Sequence, residues 1–336
     1  MKTKYLVTGA AGNLGSHIVR ELLSIGADIR AMVLPHDQAA LLLPDGIEIF
    51  FGNILNPQDI KRFFEVEPDT AIIVIHCAGI VTIQWDFDPL AYEVNVNGTR
   101  NIIERCLLSG VQKLIYISSV HAIPELPKGE IITEVSSFTP DRIVGFYGKT
   151  KAQASQIVMD AVNKRGLNAS LIFPSGLCGP NDYAEGIITK LLIDCCHGKL
   201  PVGVKGGYDF VDVRDVAKGV LECCSRGKKG EGYILSNQYF SVADILHQVH
   251  LITKIKEVKH MIPIWVAKLS LPYFDFYYKM KKMTPVFTRY SLYTLTSNAS
   301  FSYEKAKKML GYSVRPFVNT ISDTLSWLKL KKEINF

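Results

Sequence analysis

Along the first half of the chain, short β-branched apolar runs alternate with longer amphipathic segments. Six runs read as strands: Tyr5–Thr8, Asp28–Val33, Glu48–Gly52, Ala71–Cys77, Lys113–Ser118 and Ala169–Phe173. Between them, Leu14–Ile25, Pro57–Phe64, Pro89–Leu108 and Val144–Lys164 carry the spacing of helices. This alternation predicts an α/β protein with a doubly wound parallel sheet, helices on both faces and ligands at the carboxyl ends of the strands.

Beyond Pro174 the alternation loosens and loops, prolines and aromatic residues increase. Gly232–Ser236 reads as one more strand, returning to the sheet and followed by a helix that Ser241 caps. The chain therefore divides into a dinucleotide-binding part, 1–175, and a smaller C-terminal substrate-binding part, 176–336, of which about 208–255 rejoins the first. Residues 262–293 are rich in Trp, Phe, Tyr, Leu and Met. They fit a small second core, the ordinary fate of such side chains, with a substrate lid or a weak peripheral membrane contact as the other readings.

Composition narrows the class without naming the chemistry. With 336 residues, 48% hydrophobic and 21% charged, the sequence suits an ordinary soluble protein. The first residues run straight into an apolar strand, without a signal peptide's long apolar segment and small-residue cleavage site. Nor does any stretch offer the roughly 18 uninterrupted apolar residues of a membrane span. A cytoplasmic protein is expected. Seven cysteines, including the adjacent pairs Cys195-Cys196 and Cys223-Cys224, fit reduced, mostly buried thiols. No second Cys/His cluster at zinc spacing accompanies Cys195-Cys196-His197, so no metal is expected. The net charge of +6 is spread along the chain, and the lysines near 279–282 come without a nucleic-acid motif. The expected partner is a small molecule rather than a nucleic acid.

Two patterns carry chemistry. Gly9, Gly12 and Gly15 follow the first strand and open the first helix, where glycines permit a tight turn and the close approach of a pyrophosphate to a helix N-terminus. Tyr147 and Lys151 lie four residues apart, hence on one helical face. An ammonium there favours the phenolate and would lower the tyrosine pKa toward the range of an acid/base catalyst. Alone, a Tyr-x-x-x-Lys pair is more often a solvated helix face. Beside a dinucleotide loop it points to redox chemistry.

These motifs recur in order with Gly52-Asn53-Ile54, His76-Cys77-Ala78-Gly79, Asn95-Val96-Asn97-Gly98-Thr99, Ser118-Ser119, the run Pro174 to Pro180, and Phe210 to Ala217. Together they resemble the extended short-chain dehydrogenases/reductases, the NAD-dependent epimerase/dehydratase superfamily with its Rossmann-like fold, over nearly the whole chain. The resemblance implies that Gly9, Gly12, Asn13, Leu14 and Gly15 form the phosphate loop. It places Asn53 and Ile54 beside the adenine, Cys77, Ala78 and Gly79 along the ribose, Asn95 near the site, and Pro174 and Leu177 at the nicotinamide. Tyr147 becomes the general acid/base, Lys151 the residue that steadies it and bonds the nicotinamide ribose, and Ser119 the group that orients the substrate oxygen. Ser118 is the neighbouring candidate. His76 and His121, near strand ends, read as packing or loop residues. A homodimer through Pro89–Leu108 and Val144–Lys164 is also implied.

The cofactor is NAD or NADP. Ala31 to His36, where the family places either an acid or an arginine, has neither, and His36 reads as a bystander. For the substrate, Tyr208 stands where sugar-nucleotide enzymes of the superfamily carry a diphosphate-gripping arginine. That substitution, the aromatic segment, and the C-terminal run Ala306 to Tyr312 with Trp327 beyond look more like the dihydroflavonol reductase and 3β-hydroxysteroid dehydrogenase branches. They favour an apolar ketone, aldehyde or alcohol. A nucleotide-sugar epimerase/dehydratase is the second reading, and a non-catalytic NAD(P)-binding regulator the third.

Overall fold

The strands run in chain order as β1 (Lys2–Thr8), β2 (Asp28–Val33), β3 (Glu48–Phe51), β4 (Thr70–His76), β5 (Lys113–Ile117), β6 (Ala169–Pro174), β7 (Gly176–Cys178), β8 (Gly203–Val204), β9 (Gly207–Asp212), β10 (Gly232–Leu235), β11 (Gln238–Ser241) and β12 (Met261–Ile262). The structure is a computed structural model that describes residues 2–281 and 288–335. Seven strands form a parallel sheet in the order β10-β6-β5-β4-β1-β2-β3. Side chains alternate between its two faces. Leu6 and Val74 join one core, with Ile102, Ile103 and Val158, while Val7, Ile73 and Ile75 join the other, with Ile18, Leu22 and Val220.

The α-helices are α1 (Asn13–Ser24), α2 (Pro57–Phe63), α3 (Pro89–Tyr92), α4 (Thr99–Leu108), α5 (Phe146–Arg165), α6 (Ile187–Cys196), α7 (Val213–Arg226), α8 (Val242–Thr253), α9 (Ile264–Lys281), α10 (Arg289–Thr294), α11 (Glu304–Leu310) and α12 (Phe317–Leu330). The sequence predicts one helix over Pro89–Leu108. The chain instead inserts a π-helical turn, Glu93–Gly98, between α3 and α4. α5 starts at Phe146 rather than Val144 because Gly145 has a φ of +82°, outside the helical region. Small antiparallel and parallel pairings of β7, β9 and β11 form a second sheet that the strand pattern did not reveal.

The C-terminal segment is tied to α7 by an ion pair, to the end of β9 by a hydrogen bond and to β11 by ring stacking. Arg315 donates to Asp215 Oδ1 at 2.7 and 2.9 Å, Thr320 Oγ1 donates to Asp212 at 2.8 Å, and Phe317 stacks on Phe240 with 3.8 Å between ring centroids. In the aromatic segment, Ala267 and Leu292 form a small separate core with Val204, while Trp265 and Leu269 stay exposed. Residues 282–287 of that segment lie outside the described residues. Among the described residues no helix is long and apolar enough to cross a membrane.

His76 closes the centre of the sheet. Its Nδ1 lies 2.7 Å from Thr8 Oγ1 and its Nε2 3.1 Å from Thr99 Oγ1, tying β1 and β4 to α4. Burial lowers its pKa from the usual 6.5 to about 3, with the nearby Lys151 charge acting the same way. The unfolded chain binds this proton below pH 6.5 and the folded chain only near pH 3, so stability falls as pH drops through that window. At pH 5 the loss is roughly 2 kcal/mol relative to pH 7. Urea midpoints at the two pH values should show a smaller difference in His76→Gln than in the parent. An unchanged difference would remove His76 from the account.

Candidate active site

The sheet order reverses beside β1, whose neighbours are β4 on one side and β2 on the other, and a crevice opens there at the strand ends. Gly9, with a φ of +65°, leaves β1 so close to the chain after β4 that a Cβ on it would sit 2.6 Å from Ala78 N. A Cβ on Gly15 would fall 2.1 Å from Gly9 O. Gly12 differs: its only close neighbour would be Gly9 O at 3.2 Å, so a side chain there would enter the crevice. Gly12 also precedes α1 without any side chain capping the helix, and the first turn holds no acid. By contrast, Asp212 caps α7 and Ser241 caps α8. The free N–H groups at Asn13 and Leu14, at the start of α1, therefore suit a pyrophosphate.

The crevice continues to the tyrosine and lysine through short contacts. A Cβ on Gly79 would lie 3.3 Å from Lys151 Nζ and 3.1 Å from Asn95 Oδ1. Lys151 Nζ donates to Ile117 O at 2.8 Å, at the end of β5. Burial lowers the lysine pKa to about 8. Tyr147, one turn earlier on α5, is buried, with the Ser119 hydroxyl near enough to its phenol to lower the phenol pKa. Ser118 Oγ is instead spent on Ser155 Oγ at 2.7 Å, which leaves Ser119 as the serine that reaches the phenol.

The tyrosine pKa runs against the sequence expectation. Burial pushes it up to about 12, and the Ser119 hydroxyl draws it only partly back. Desolvation penalises the phenolate, and Lys151 is directed at Ile117 O rather than at the phenol. The phenol is thus held neutral, the form that donates a proton.

The remaining predicted residues fall into three groups. Cys77 N bonds Thr8 O at 3.1 Å and Ala78 N bonds Thr8 Oγ1 at 3.3 Å, so both follow β4 along the crevice. Asn95 sits on the π-helical turn, and its amide is spent on Ile80 N, Ile80 O and Thr150 Oγ1 at 2.8, 2.9 and 3.1 Å. It shapes the loop after β4 rather than facing the crevice itself. Asn53 Oδ1 accepts from Leu55 N at 2.9 Å, and Ile54 is buried. Pro174 ends β6 and Leu177 lies in β7.

An aromatic wall beyond Tyr147 escaped the sequence reading. His121, taken there as a packing or loop residue, lies edge-on to Tyr147 with 6.1 Å between ring centroids and stacks on Tyr208 at 5.5 Å. Its Nε2 is 3.3 Å from Tyr208 Oη and its Nδ1 3.2 Å from Tyr290 Oη. Tyr293 bonds Glu125, and Trp85 stands edge-on to Tyr293 with Arg289 over its own ring. Val120, Ile123, Ile132 and Phe301 line the same small pocket. These residues come from four separate stretches of chain, and only the tertiary fold brings them together.

Residues 5–236 match the NAD dependent epimerase/dehydratase family. The chain belongs to this family. It is 27% identical to sterol demethylase protein B of Methylococcus capsulatus over 96% of this chain and 98% of that one. It is 30% identical to a putative dihydroflavonol 4-reductase of Synechocystis, over 78% and 76%. The crystal structure of gox2253 superposes with a TM-score of 0.84 at 29% identity, covering 98% of this chain and 99% of that one. A UDP-glucose 4-epimerase of Thermotoga maritima shares the fold with a TM-score of 0.77 at 20% identity, over 98% and 99%. The family member described here is an NAD(P)-dependent enzyme of the extended short-chain dehydrogenase/reductase type.

Proposed function

We propose that this enzyme interconverts an apolar ketone or aldehyde and the corresponding alcohol, on a steroid-like or aromatic substrate, with Tyr147 as general acid/base. The observation that carries the reading is the buried Tyr147–Ser119 pair facing an apolar and aromatic wall, with Tyr208 where sugar-nucleotide enzymes would hold a diphosphate by arginine. Two relatives are named for a sterol and for a dihydroflavonol, both largely apolar ring systems.

A bound nicotinamide supplies or accepts the hydride. Everything else falls to side chains of this chain. In reduction, Ser119 Oγ holds the substrate oxygen beside the neutral Tyr147 phenol, which gives up its proton as negative charge grows on that oxygen. Lys151, charged at neutral pH and one helical turn from Tyr147, would turn from Ile117 O to steady the phenolate left behind and to bond the ribose of a bound cofactor. In oxidation the phenol must lose its proton first, and the same ammonium eases that loss. Val120, Ile123 and Ile132 line the small pocket beside His121 and give that side of the site its apolar surface.

Binding then draws mainly on apolar burial, worth about 25 cal/mol per Å². Competitive titration of a steroid 3-ketone and UDP-glucose against the NAD-loaded enzyme should favour the ketone, with little change in affinity as salt is raised. Tight, salt-sensitive binding of UDP-glucose would put the epimerase reading first. Binding of NAD with no turnover of either class would favour the regulator.

A further inference from the structure

Tyr208 and Tyr290 both send their hydroxyls to one imidazole, and the arithmetic of hydrogens there is uneven. A neutral histidine offers one N–H and one lone pair. Burial keeps His121 neutral, pushing its pKa down to about 4. One phenol therefore donates to the ring while the other accepts from it. The accepting phenol keeps its own O–H hydrogen unspent.

Among the described residues neither phenol oxygen meets any other hydrogen-bonding group. Glu125, the carboxylate of this pocket, is already taken by Tyr293 Oη and by Asn298 N at 2.7 Å. Apolar side chains make up most of the remaining lining. A buried O–H without an acceptor is costly, so the free hydrogen is directed to whatever oxygen a ligand brings.

The location makes that ligand the substrate. Tyr290 packs against Gly145, two residues before Tyr147, so tightly that a Cβ there would lie 2.2 Å from Tyr290 Cε2. His121 follows Ser119 by two residues and faces the Tyr147 ring. The Tyr208–His121–Tyr290 group thus borders the position where a carbonyl meets Tyr147 and Ser119.

We propose that this group presents one phenolic O–H to a second acceptor oxygen of the substrate, so that the enzyme selects apolar compounds carrying an oxygen close to the reacting carbonyl over lone ketones. His121 is a positioning residue here, acting through the two phenols. The proposal rests on the reading of this crevice as the substrate site and adds a specificity to it.

Equilibrium binding to the NAD-loaded enzyme tests it with two chain-matched probes, methyl 3-oxododecanoate and 5-tetradecanone. The oxidised cofactor prevents reduction, so affinity is read without turnover. The β-oxo ester should bind about 10-fold more tightly, the worth of one hydrogen bond. Either Tyr208→Phe or Tyr290→Phe should bring the two probes level while changing affinity for the lone ketone by less than about threefold. The variant that does so identifies the free phenol. His121→Phe should also level the probes, and His121→Gln, whose amide keeps one donor and one acceptor, should restore most of the difference. Equal binding of both probes by the parent would overturn the proposal, as would discrimination that survives both tyrosine variants or a parallel loss for both probes. Discrimination in binding without reduction of either probe by NADH would support it and contradict the oxidoreductase reading alone.

Discussion

Tyr147→Phe is expected to lower kcat by about 100- to 10,000-fold, the usual worth of a positioned general acid, while leaving NAD affinity nearly unchanged. The ring remains to fill its place against His121, and only the hydroxyl that meets Ser119 is lost. Because burial holds the phenol pKa near 12, the parent enters the reductive half of its cycle already protonated across the neutral range. Steady-state kinetics with NADH and a steroid 3-ketone, paired with cofactor titration, separate the two effects. Parent-like turnover in the variant would remove Tyr147 from the chemistry.

Gly12→Val is expected to weaken NAD binding by at least about 100-fold, because the branched side chain covers the free N–H groups at the start of α1. The fold should survive. Gly12 has an ordinary φ of −70° and only one neighbour that a Cβ would touch, whereas a Cβ on Gly15 would strike Gly9 O. Calorimetric titration and thermal melting without cofactor check the two halves of this expectation. Intact NAD affinity in a folded Gly12→Val protein would move the pyrophosphate away from the loop.

The parallel sheet was legible because its central strands are buried on both faces and carry their own apolar signal, independent of distant contacts. β7, β9 and β11 were not, since β7 and β11 are short and the pairing of all three depends on partners about 30 residues away along the chain. The π-helical turn at Glu93–Gly98 was hidden for a related reason. Its apolar spacing resembles that of the flanking helices, and the partners that Asn95 meets there, Ile80 and Thr150, lie 15 and 55 residues away. At the site, Gly9, Gly12 and Gly15 and the Tyr147–Lys151 spacing could be read because each is set within a few residues of sequence. The tyrosine pKa could not, because it is governed by burial rather than by spacing. His121, Tyr208 and Tyr290 lie 87 and 169 residues apart in their hydrogen-bonded pairs, and no local pattern links them.

The central claim is net hydride exchange between a dissociable cofactor and an apolar carbonyl, assisted by Tyr147. A single-turnover reaction with NADH deuterated at the transferable position of the nicotinamide and a steroid 3-ketone, read by mass spectrometry, tests it most directly. The account predicts one deuterium on the carbinol carbon per NADH consumed in the parent, and almost none on the same timescale in Tyr147→Phe. No net consumption of NADH with the ketone, together with interconversion of UDP-glucose and its 4-epimer by tightly held NAD, would contradict it.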